Sequence, residues 1–272
     1  MVISSIDGIV AGLGNGAQRF VINRASIAAQ IAGQSASLWR GTGIPAQGAI
    51  PTAAAVCTNA LAGSFQFTAP TGANASYIAR AFALSSNSAT DIQFNDRLAH
   101  MGGLVGNIIT AQTVSVDVSG SGGNMEARRG GADYSDVQWW LEWYTATGAT
   151  IPTVTVTYTN AAGTSGRTTT VLLTASVGAS RMFPIIGAAG EFIQSIQSVQ
   201  LSVSTGTAGN FGVTATRGLT SISIGLANTG TVYDWQMLGL PKVEDSACIF
   251  LTMFPGTTST GTLIGSAILV QG

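Results

Sequence analysis

Charged residues are scarce in this sequence of 272 residues. Aspartate, glutamate, lysine and arginine make up 8% of it, whereas ordinary soluble domains contain about 25%. The formal net charge is −1, and Lys242 is the sole lysine. Such a chain has no basic field for nucleic acid, so we expect no nucleic-acid partner. It is also poorly protected against self-association, which favours a surface covered by other copies or by a partner.

Histidine and cysteine are equally rare. His100 is the sole histidine, which excludes motifs that bind metal through two histidines, and no Gly-x-Ser-x-Gly elbow accompanies it. Cys57 and Cys248 lie far apart in the chain, and we expect two buried free thiols. Because catalysis needs positioned acids, bases or nucleophiles, we expect no enzyme activity, no cofactor and no metal.

Long apolar runs are absent too. No stretch of about 18 apolar residues occurs, so we expect no membrane-spanning helix and no membrane partner. Residues 1–7 lack the basic start of a secretory signal, and Asp7 and Asn15 interrupt the apolar positions around them. We therefore expect synthesis in a host cytoplasm.

Aromatic and β-branched residues are concentrated in residues 136–176. Three of the five tryptophans lie within residues 139–143. Val154, Val156 and Tyr158 then alternate with threonines, which is the period of a half-buried strand. A loop rich in glycine, asparagine and serine separates this run from a second β-branched run at residues 168–174. The pattern predicts a long hairpin.

Further short apolar runs follow the same pattern. They cover residues 77–84, 112–119, 192–204, 210–216, 219–226, 247–254 and 263–270. Residues 210–216 and 219–226 resemble a hairpin, and residues 96–103 look like a connecting segment. Many short strands with turn signals between them are typical of a sandwich or jelly roll. The sequence therefore predicts an all-β body, jelly-roll or β-sandwich-like, over residues 73–272.

The first 72 residues differ from this body. Apolar side chains recur at helical spacing in residues 3–13 and again in residues 17–32. Pro45, Pro51 and Pro70 then prevent a long regular element. We therefore predict an N-terminal arm over residues 1–72, made of two short helices and a linker rich in proline and glycine.

Two sequence features imitate functional motifs. Residues 12–17 match a dinucleotide-binding pattern, but a helical pattern precedes them where that motif needs a strand, so they are interpreted as a turn. Asp91 with Asp96, or Glu142 with a distant partner, could form the carboxylate pair of a glycosidase. Period two places Trp140 beside Glu142 on a surface face, with Trp139, Leu141 and Trp143 in the core. A mixed interface face is favoured over sugar chemistry.

Several segments resemble a family of tailed-bacteriophage virion proteins. They are residues 37–45, the run Arg97-Leu-Ala-His-Met-Gly-Gly103, residues 131–135 before the tryptophan-rich strand, and residues 154–160 with 163–168. The resemblance implies a structural virion protein, most like a capsid decoration or cement protein that binds the outside of the head shell. It implies the major capsid protein and further copies of the chain as partners, with a homotrimer as one arrangement. It transfers no functional residues.

The candidate interface combines residues 1–50 with the glycine-rich loop at residues 120–135. Its candidate contact residues are Phe20, Arg24, Ile27, Trp39, Arg40, Arg128, Arg129 and Trp140. Arginine suits interfaces because its planar head carries several donors. Two alternatives stay open: a tail-associated protein that recognises a host or binds carbohydrate through the Trp140 face, and a glycan hydrolase.

Overall fold

The computed structural model describes residues 3–25, 30–174, 178–259 and 261–272. In these residues the helices are α1 (Ile6–Gly14), α2 (Met125–Arg128), which follows a 3-10 turn at Gly122–Asn124, and α3 (Trp235–Leu238). The strands are β1 (Gln18–Arg24), β2 (Ala36–Ser37), β3 (Gly43–Ile44), β4 (Ala55–Val56), β5 (Ser76–Ser85), β6 (Thr90–Leu104), β7 (Gln112–Asp117), β8 (Val137–Thr145), β9 (Thr153–Asn160), β10 (Arg167–Leu172), β11 (Met182–Ile185), β12 (Ile193–Leu201), β13 (Asn210–Ile224), β14 (Thr231–Asp234), β15 (Lys242–Val243), β16 (Ile249–Pro255) and β17 (Leu263–Gln271). The predicted all-β, sandwich-like body with a short N-terminal helix is confirmed.

The described strands form three antiparallel sheets. Sheet I has the order β14-β5-β17-β1-β3, with β15 also paired to β5. Sheet II has the order β11-β8-β13-β6-β16-β2, with β4 also paired to β6. Sheet III has the order β10-β9-β12-β7. Neighbouring strands are often distant in sequence, so the sheets join all parts of the chain.

Sheet II connects the two halves of the molecule, because its two longest strands contribute side chains to two different cores. β6 and β13 are 15 residues each. The first half of β6 places Ile92 and Phe94 in a core shared with sheet I. The second half places Leu98 and Leu104 in a different core shared with sheet III. The fold is thus two sandwiches with one sheet in common, and residues 95–97 of β6 lie at their junction.

The tryptophan-rich strand and its hairpin fold as their sequence period predicts. Trp139, Leu141 and Trp143 of β8 are buried in the core under sheet III. β9 and β10 pair antiparallel as the predicted hairpin, and the alternating residues Val154 and Val156 of β9 are fully buried. Period-two patterning identifies these strands because each buries one face.

The first predicted helix is confirmed, whereas the second is wrong. α1 begins after Ser5, whose hydroxyl accepts a hydrogen bond from Gly8 N at 3.1 Å, as an N-cap does. Residues 18–24 form strand β1 instead of a helix, and they pair with β17 and β3. Burial alternates along β1, with Phe20, Ile22 and Arg24 inside, so period two prevails over the helical spacing.

Two predicted breaks in strands are also wrong. Residues 96–103 are not a connection but the second half of β6. Residues 210–224 are one strand, β13, rather than a hairpin, because Arg217 and Gly218 stay paired with β6 on one side. A register shift between Gly218 and Thr220 absorbs the irregularity that their sequence signals.

The predicted boundary after residue 72 does not separate two structural units. β1 pairs with β17 in sheet I, while β2 pairs with β16 and β4 pairs with β6 in sheet II. Short strands from residues 18–72 thus complete both large sheets, because the sheet edges offer backbone donors and acceptors that need partners. The described residues between 18 and 72 are part of the body.

Candidate functional site

A β-bulge in β6 brings together the polar side chains at the junction. Ala99 lies opposite Ala215 of β13, yet Arg97 lies opposite the very next residue, Thr216, so Leu98 is an extra residue. An extra residue re-aims the side chains that follow it. As a result Arg97 and His100, three residues apart, share one face, and Arg97 Nε donates a hydrogen bond to His100 Nδ1 at 2.8 Å.

Arg97 forms a buried ion pair with Glu142 of β8. Arg97 Nη2 donates to Glu142 Oε2 at 2.6 Å, and both side chains are inaccessible to solvent. The hydroxyls of Thr214 and Tyr144 also donate to this oxygen, at 2.5 and 3.2 Å. Burial alone would raise the pKa of Glu142, but the Arg97 charge and these hydrogen bonds lower it below its usual value. The carboxylate is therefore held in its charged form.

Trp39 covers the other side of the Arg97 guanidinium. Arg97 Cζ lies 4.5 Å from the centre of the indole ring, which is a cation–π distance. The indole N–H donates to Ala49 O at 2.8 Å. A Cβ atom at Gly48 would lie 2.2 Å from the ring, so only glycine lets the chain pass so close. Trp39 is thereby held against the ion pair.

A second buried ion pair anchors the loop at residues 120–135. Arg128 donates to both carboxylate oxygens of Asp96, from Nη2 at 2.5 Å and from Nε at 2.8 Å. It also donates to the backbone oxygens of Cys57 at 2.7 Å and Arg97 at 2.9 Å. Arg129 bonds the carbonyls of residues 118 and 119. We call the Arg97–Glu142 and Arg128–Asp96 pairs with Trp39, His100, Tyr144 and Thr214 the junction network.

The junction network links strands of both sandwiches through buried ion pairs and hydrogen bonds. Glu142 is fully buried, so it does not share a surface face with Trp140, and the predicted mixed face is wrong in this respect. Asp96 is buried against Arg128, while Asp91 lies exposed near the start of β6. Among the described residues no group of three or more histidine, cysteine, aspartate or glutamate side chains could hold a metal ion.

Most of the predicted contact residues lie inside the protein. Five of them are buried, so their side chains are not available for direct contact with another molecule. They are Phe20, Arg24, Trp39, Arg128 and Arg129. Phe20 stacks on Phe65, Arg24 donates to Gly41 O at 2.5 Å, and the other three fix loops and the junction. These arginines are buried because each guanidinium donates hydrogen bonds to carbonyl or carboxylate oxygens within the chain. Ile27 lies outside the described residues.

Arg40 and Trp140 are the two candidates that remain partly exposed. Arg40 donates to Gly48 O, which ties it to the segment around Trp39. Trp140 donates from Nε1 to Thr216 Oγ1 at 2.9 Å, which fixes the indole on the surface of sheet II. Beside it lies a groove of about 350 Å³, lined by residues that include Gln138, Ile186, Glu191 and Phe192.

A larger exposed surface, which sequence reasoning missed, is the outer face of sheet I. We define the outer face by Arg19, Val21, Arg80, Phe82, Val232, Ile264 and Ile268, whose side chains point away from the core. Val21, Val232 and Ile264 are 44–47% exposed. The signal for it is the alternation in β1 and β17, whose second apolar set lies outside the core shared with sheet II. Ile268 and Val270 of this set pack in a smaller cluster that includes Ile3 and Tyr77.

Register places the apolar and basic side chains of the outer face in rows. Phe82 lies opposite Val232 on one side and Ser266 on the other, and Ser266 lies opposite Val21. In the next row Ile268 lies between the two arginines, opposite Arg19 on β1 and Arg80 on β5. Within the described residues neither arginine forms an ion pair. The result is a concave surface of about 240 Å³, in which apolar side chains lie beside two positive charges.

Comparisons with known proteins add little to this geometry. No protein-family model matches the chain, and no curated protein matches it either. A structure of infectious bursal disease virus Gt strain is 11% identical, with 94% of this chain and 80% of that chain covered and a TM-score of 0.20. The VP2 subviral particle of the same virus gives the same identity, coverage and TM-score. These weak neighbours belong to a virus particle, but similarity at this level carries no argument.

No helix in the described parts of the chain has the length and apolar character needed to cross a membrane.

Proposed function

We propose that this chain is a non-enzymatic structural protein of a bacteriophage particle, which binds the outside of the head shell and stabilises it. The observation that carries the proposal is the outer face of sheet I. It presents Val21, Val232 and Ile264 to solvent beside Arg19 and Arg80, where a lone protein would place more polar side chains. A partner surface that covers this face removes the apolar side chains from water. The resemblance of several sequence segments to phage virion proteins points to the same class.

The distribution of charge supports a role in assembly. The junction network places two arginines and two carboxylates in the interior, out of a total of 23 charged residues. Few charges then remain to keep separate copies of the chain apart. Many copies on a repeating shell would each contribute a modest contact, and together these contacts stabilise the lattice. A homo-oligomer, with a trimer as the simplest arrangement at a three-fold site, follows from this proposal.

The partner surface should be apolar and carry acidic groups. Arg19 and Arg80 both flank Ile268, whereas Asp234, opposite Arg80, is the sole acidic residue in these rows. Arginine at the edge of an apolar patch is a common arrangement at interfaces. We therefore propose the major capsid protein as the partner, through a surface with carboxylates placed opposite these two arginines.

Co-sedimentation of the purified chain with head shells that lack it tests the proposal. The informative variant is Ile264→Asp, which places a negative charge in the middle of the outer face. Its matched control is Leu172→Asp, because Leu172 is also an exposed apolar residue but lies on β10 in sheet III. We expect saturable binding of the unaltered chain and the control, and at least a tenfold loss for Ile264→Asp.

Imaging of the same mixtures decides the location. Regular density on the outside of the head supports decoration. Density confined to the tail, or equal binding of Ile264→Asp and Leu172→Asp, contradicts the proposal. Deletion of residues 1–33 is a poor test, because it removes β1, which lies between β17 and β3 in sheet I.

The groove beside Trp140 favours a second candidate, a tail-associated protein that binds host carbohydrate. The fixed, half-exposed indole of Trp140 offers a face on which a sugar ring can stack, and Gln138 and Glu191 supply polar groups nearby. A glycan-binding screen with the unaltered chain and Trp140→Ala tests it. Binding that the substitution abolishes supports this candidate, and the absence of any bound glycan contradicts it.

A further inference from the structure

The two cysteines meet end to end along one edge of β6. Cys57 N donates to Leu98 O at 2.9 Å, and Arg97 N donates to Cys248 O at 2.9 Å. Arg97 and Leu98 are consecutive, and a strand rises about 3.3 Å per residue, so the two cysteines occupy adjacent positions on this edge. Both thiols are buried and belong to one cluster of side chains with Trp39, Tyr144 and Phe250. Residues far apart in sequence are thus close enough for a disulfide.

The junction network surrounds these thiols with hydrogen-bond donors. His100 Nδ1 accepts a hydrogen bond from Arg97, so the proton of the neutral imidazole is on Nε2. His100 lies opposite Ala55 of β4, two residues before Cys57 in the chain. Arg97 and His100 therefore lie on the stretch of β6 that both cysteines border.

The surroundings make the two cysteines chemically unequal. Burial alone would raise the pKa of Cys57, but the neighbouring Cys248 and His100 side chains and the charge of Arg97 outweigh burial and lower it. Burial and the neighbouring Cys57 raise the pKa of Cys248. Cys57 is the nucleophile of the pair, and Cys248 keeps its proton.

We propose that Cys57 and Cys248 form an oxidation site, which reacts with a small hydroperoxide and closes to an intramolecular disulfide. The proposal rests on the placement of the two sulfurs beside His100 and Arg97, and it does not depend on the proposed function. In the structure both cysteines are free thiols, which is the reduced form of this site.

The reaction with hydrogen peroxide proceeds in two balanced steps. The Cys57 thiolate attacks one peroxide oxygen; the S–O bond forms, the O–O bond breaks, and the leaving hydroxide takes a proton to become water. The Cys248 sulfur then attacks the sulfur of the Cys57 sulfenic acid, the S–S bond forms, and the S–O bond breaks. The second hydroxide leaves as water with the Cys248 proton. Two thiols are oxidised, and one peroxide is reduced to two waters.

Strand β4 provides access for a small oxidant. It pairs with β6 through only two residues, Ala55 and Val56, and both are exposed. A short surface strand of this kind opens locally at low cost. Closure of the disulfide would then fix β4 to the edge of β6 beside β16, and it would cross-link two distant parts of the chain.

Peptide mapping of the intact chain tests the proposal. The reduced protein is treated with equimolar hydrogen peroxide, then unfolded, alkylated and digested without reductant. We expect one peptide in which Cys57 and Cys248 are joined, a loss of two hydrogen atoms from the intact mass, and an unfolding temperature raised by several degrees. Dithiothreitol should reverse all three changes. Alkylation of both cysteines after peroxide treatment, or disulfides between chains, would overturn the proposal.

Two variants assign the roles of the cysteines. In Cys248→Ser we expect a sulfenic acid at Cys57 that dimedone captures, because the resolving thiol is gone. In Cys57→Ser we expect Cys248 to remain reduced under the same treatment. Equal oxidation of Cys248 in both backgrounds contradicts the assignment. The mapping of the unaltered chain decides the main proposal even where a variant folds poorly.

Discussion

The junction network and the outer face of sheet I use charge in opposite ways. At the junction, Arg97 and Arg128 are buried with their carboxylate partners, although Arg97 Nη1 and Glu142 Oε1 have no hydrogen-bond partner among the described residues. On the outer face, Arg19 and Arg80 are exposed without an ion-pair partner among the described residues, beside apolar side chains in contact with water. Buried charges need unique partners, so they define the position of strands. Exposed charges next to apolar area are available to another molecule.

The largest effect on stability should come from breaking one buried ion pair. Glu142→Gln leaves the Arg97 charge buried without a counter-charge, and we expect a loss of roughly 3–5 kcal/mol in the free energy of unfolding. Glu126→Gln is the matched control, since Glu126 is exposed on α2. Urea unfolding of both variants measures the difference, and equal midpoints would show that the junction does not depend on this charge.

A smaller loss should follow when both partners are replaced. Arg97→Met combined with Glu142→Leu removes the two charges together, so no uncompensated charge stays buried. We expect the double variant to be more stable than Glu142→Gln, although Thr214 and Tyr144 lose the oxygen that accepts their hydrogen bonds. Denaturant unfolding of the single and double variants provides the comparison. A double variant that is less stable than Glu142→Gln would mean that the polar geometry, not the charge balance, holds the junction.

Acid should reduce the difference between the unaltered chain and Glu142→Gln. The pKa of Glu142 is lowered in the folded protein from its model-compound value of 4.5, so its contribution to stability is present above about pH 4.5. That contribution is lost as the pH falls through the lower pKa of the folded state. We expect the gap between the two unfolding curves to be constant at neutral pH and to narrow below pH 4.5. A constant gap down to the acid transition would contradict the assignment.

The smallest effect on stability is expected at the outer face. Arg19→Ala with Arg80→Ala removes two exposed charges, so the denaturant midpoint should not change. Binding to head shells should weaken, and more strongly at low salt than at high salt, because exposed charges act over a distance that salt shortens. Sedimentation at two ionic strengths measures this. If binding is independent of salt in both the double variant and the unaltered chain, the two arginines do not lie in the interface.

Sequence patterns predict the parts of this fold in which one face of a strand is buried and the other is wet. α1 and the β9–β10 hairpin follow their local periods. Alternation also places the buried Trp139 and Trp143 of β8, although Glu142 and Tyr144 on its other face are buried too. The prediction of the second helix is wrong because the spacing of its apolar residues fits a strand as well as a helix. Phe20 and Ile22, two positions apart, lie on one face of a strand. Local spacing alone cannot distinguish a helix from a strand here, because the strand forms by pairing with β17, which is far away in the sequence.

The junction network escapes prediction for a different physical reason. Asp96, Arg97 and His100 look like a polar connection, because charged side chains are normally exposed. They are buried because Glu142 and Arg128, distant in sequence, neutralise them. The bulge at Leu98 adds a second obstacle, since period two would place Arg97 and His100 on opposite faces. A carboxylate between aromatic residues in a chain with few charges is the one local sign that such a partner exists.

The shared strands β6 and β13 also have a mechanical consequence. Each is one covalent rod of 15 residues, roughly 50 Å long, that begins in one sandwich and ends in the other. A force applied to one sandwich therefore reaches the other as tension along the backbone, rather than through side-chain contacts that can slide. We expect the two sandwiches to yield together under load, in a single rupture event.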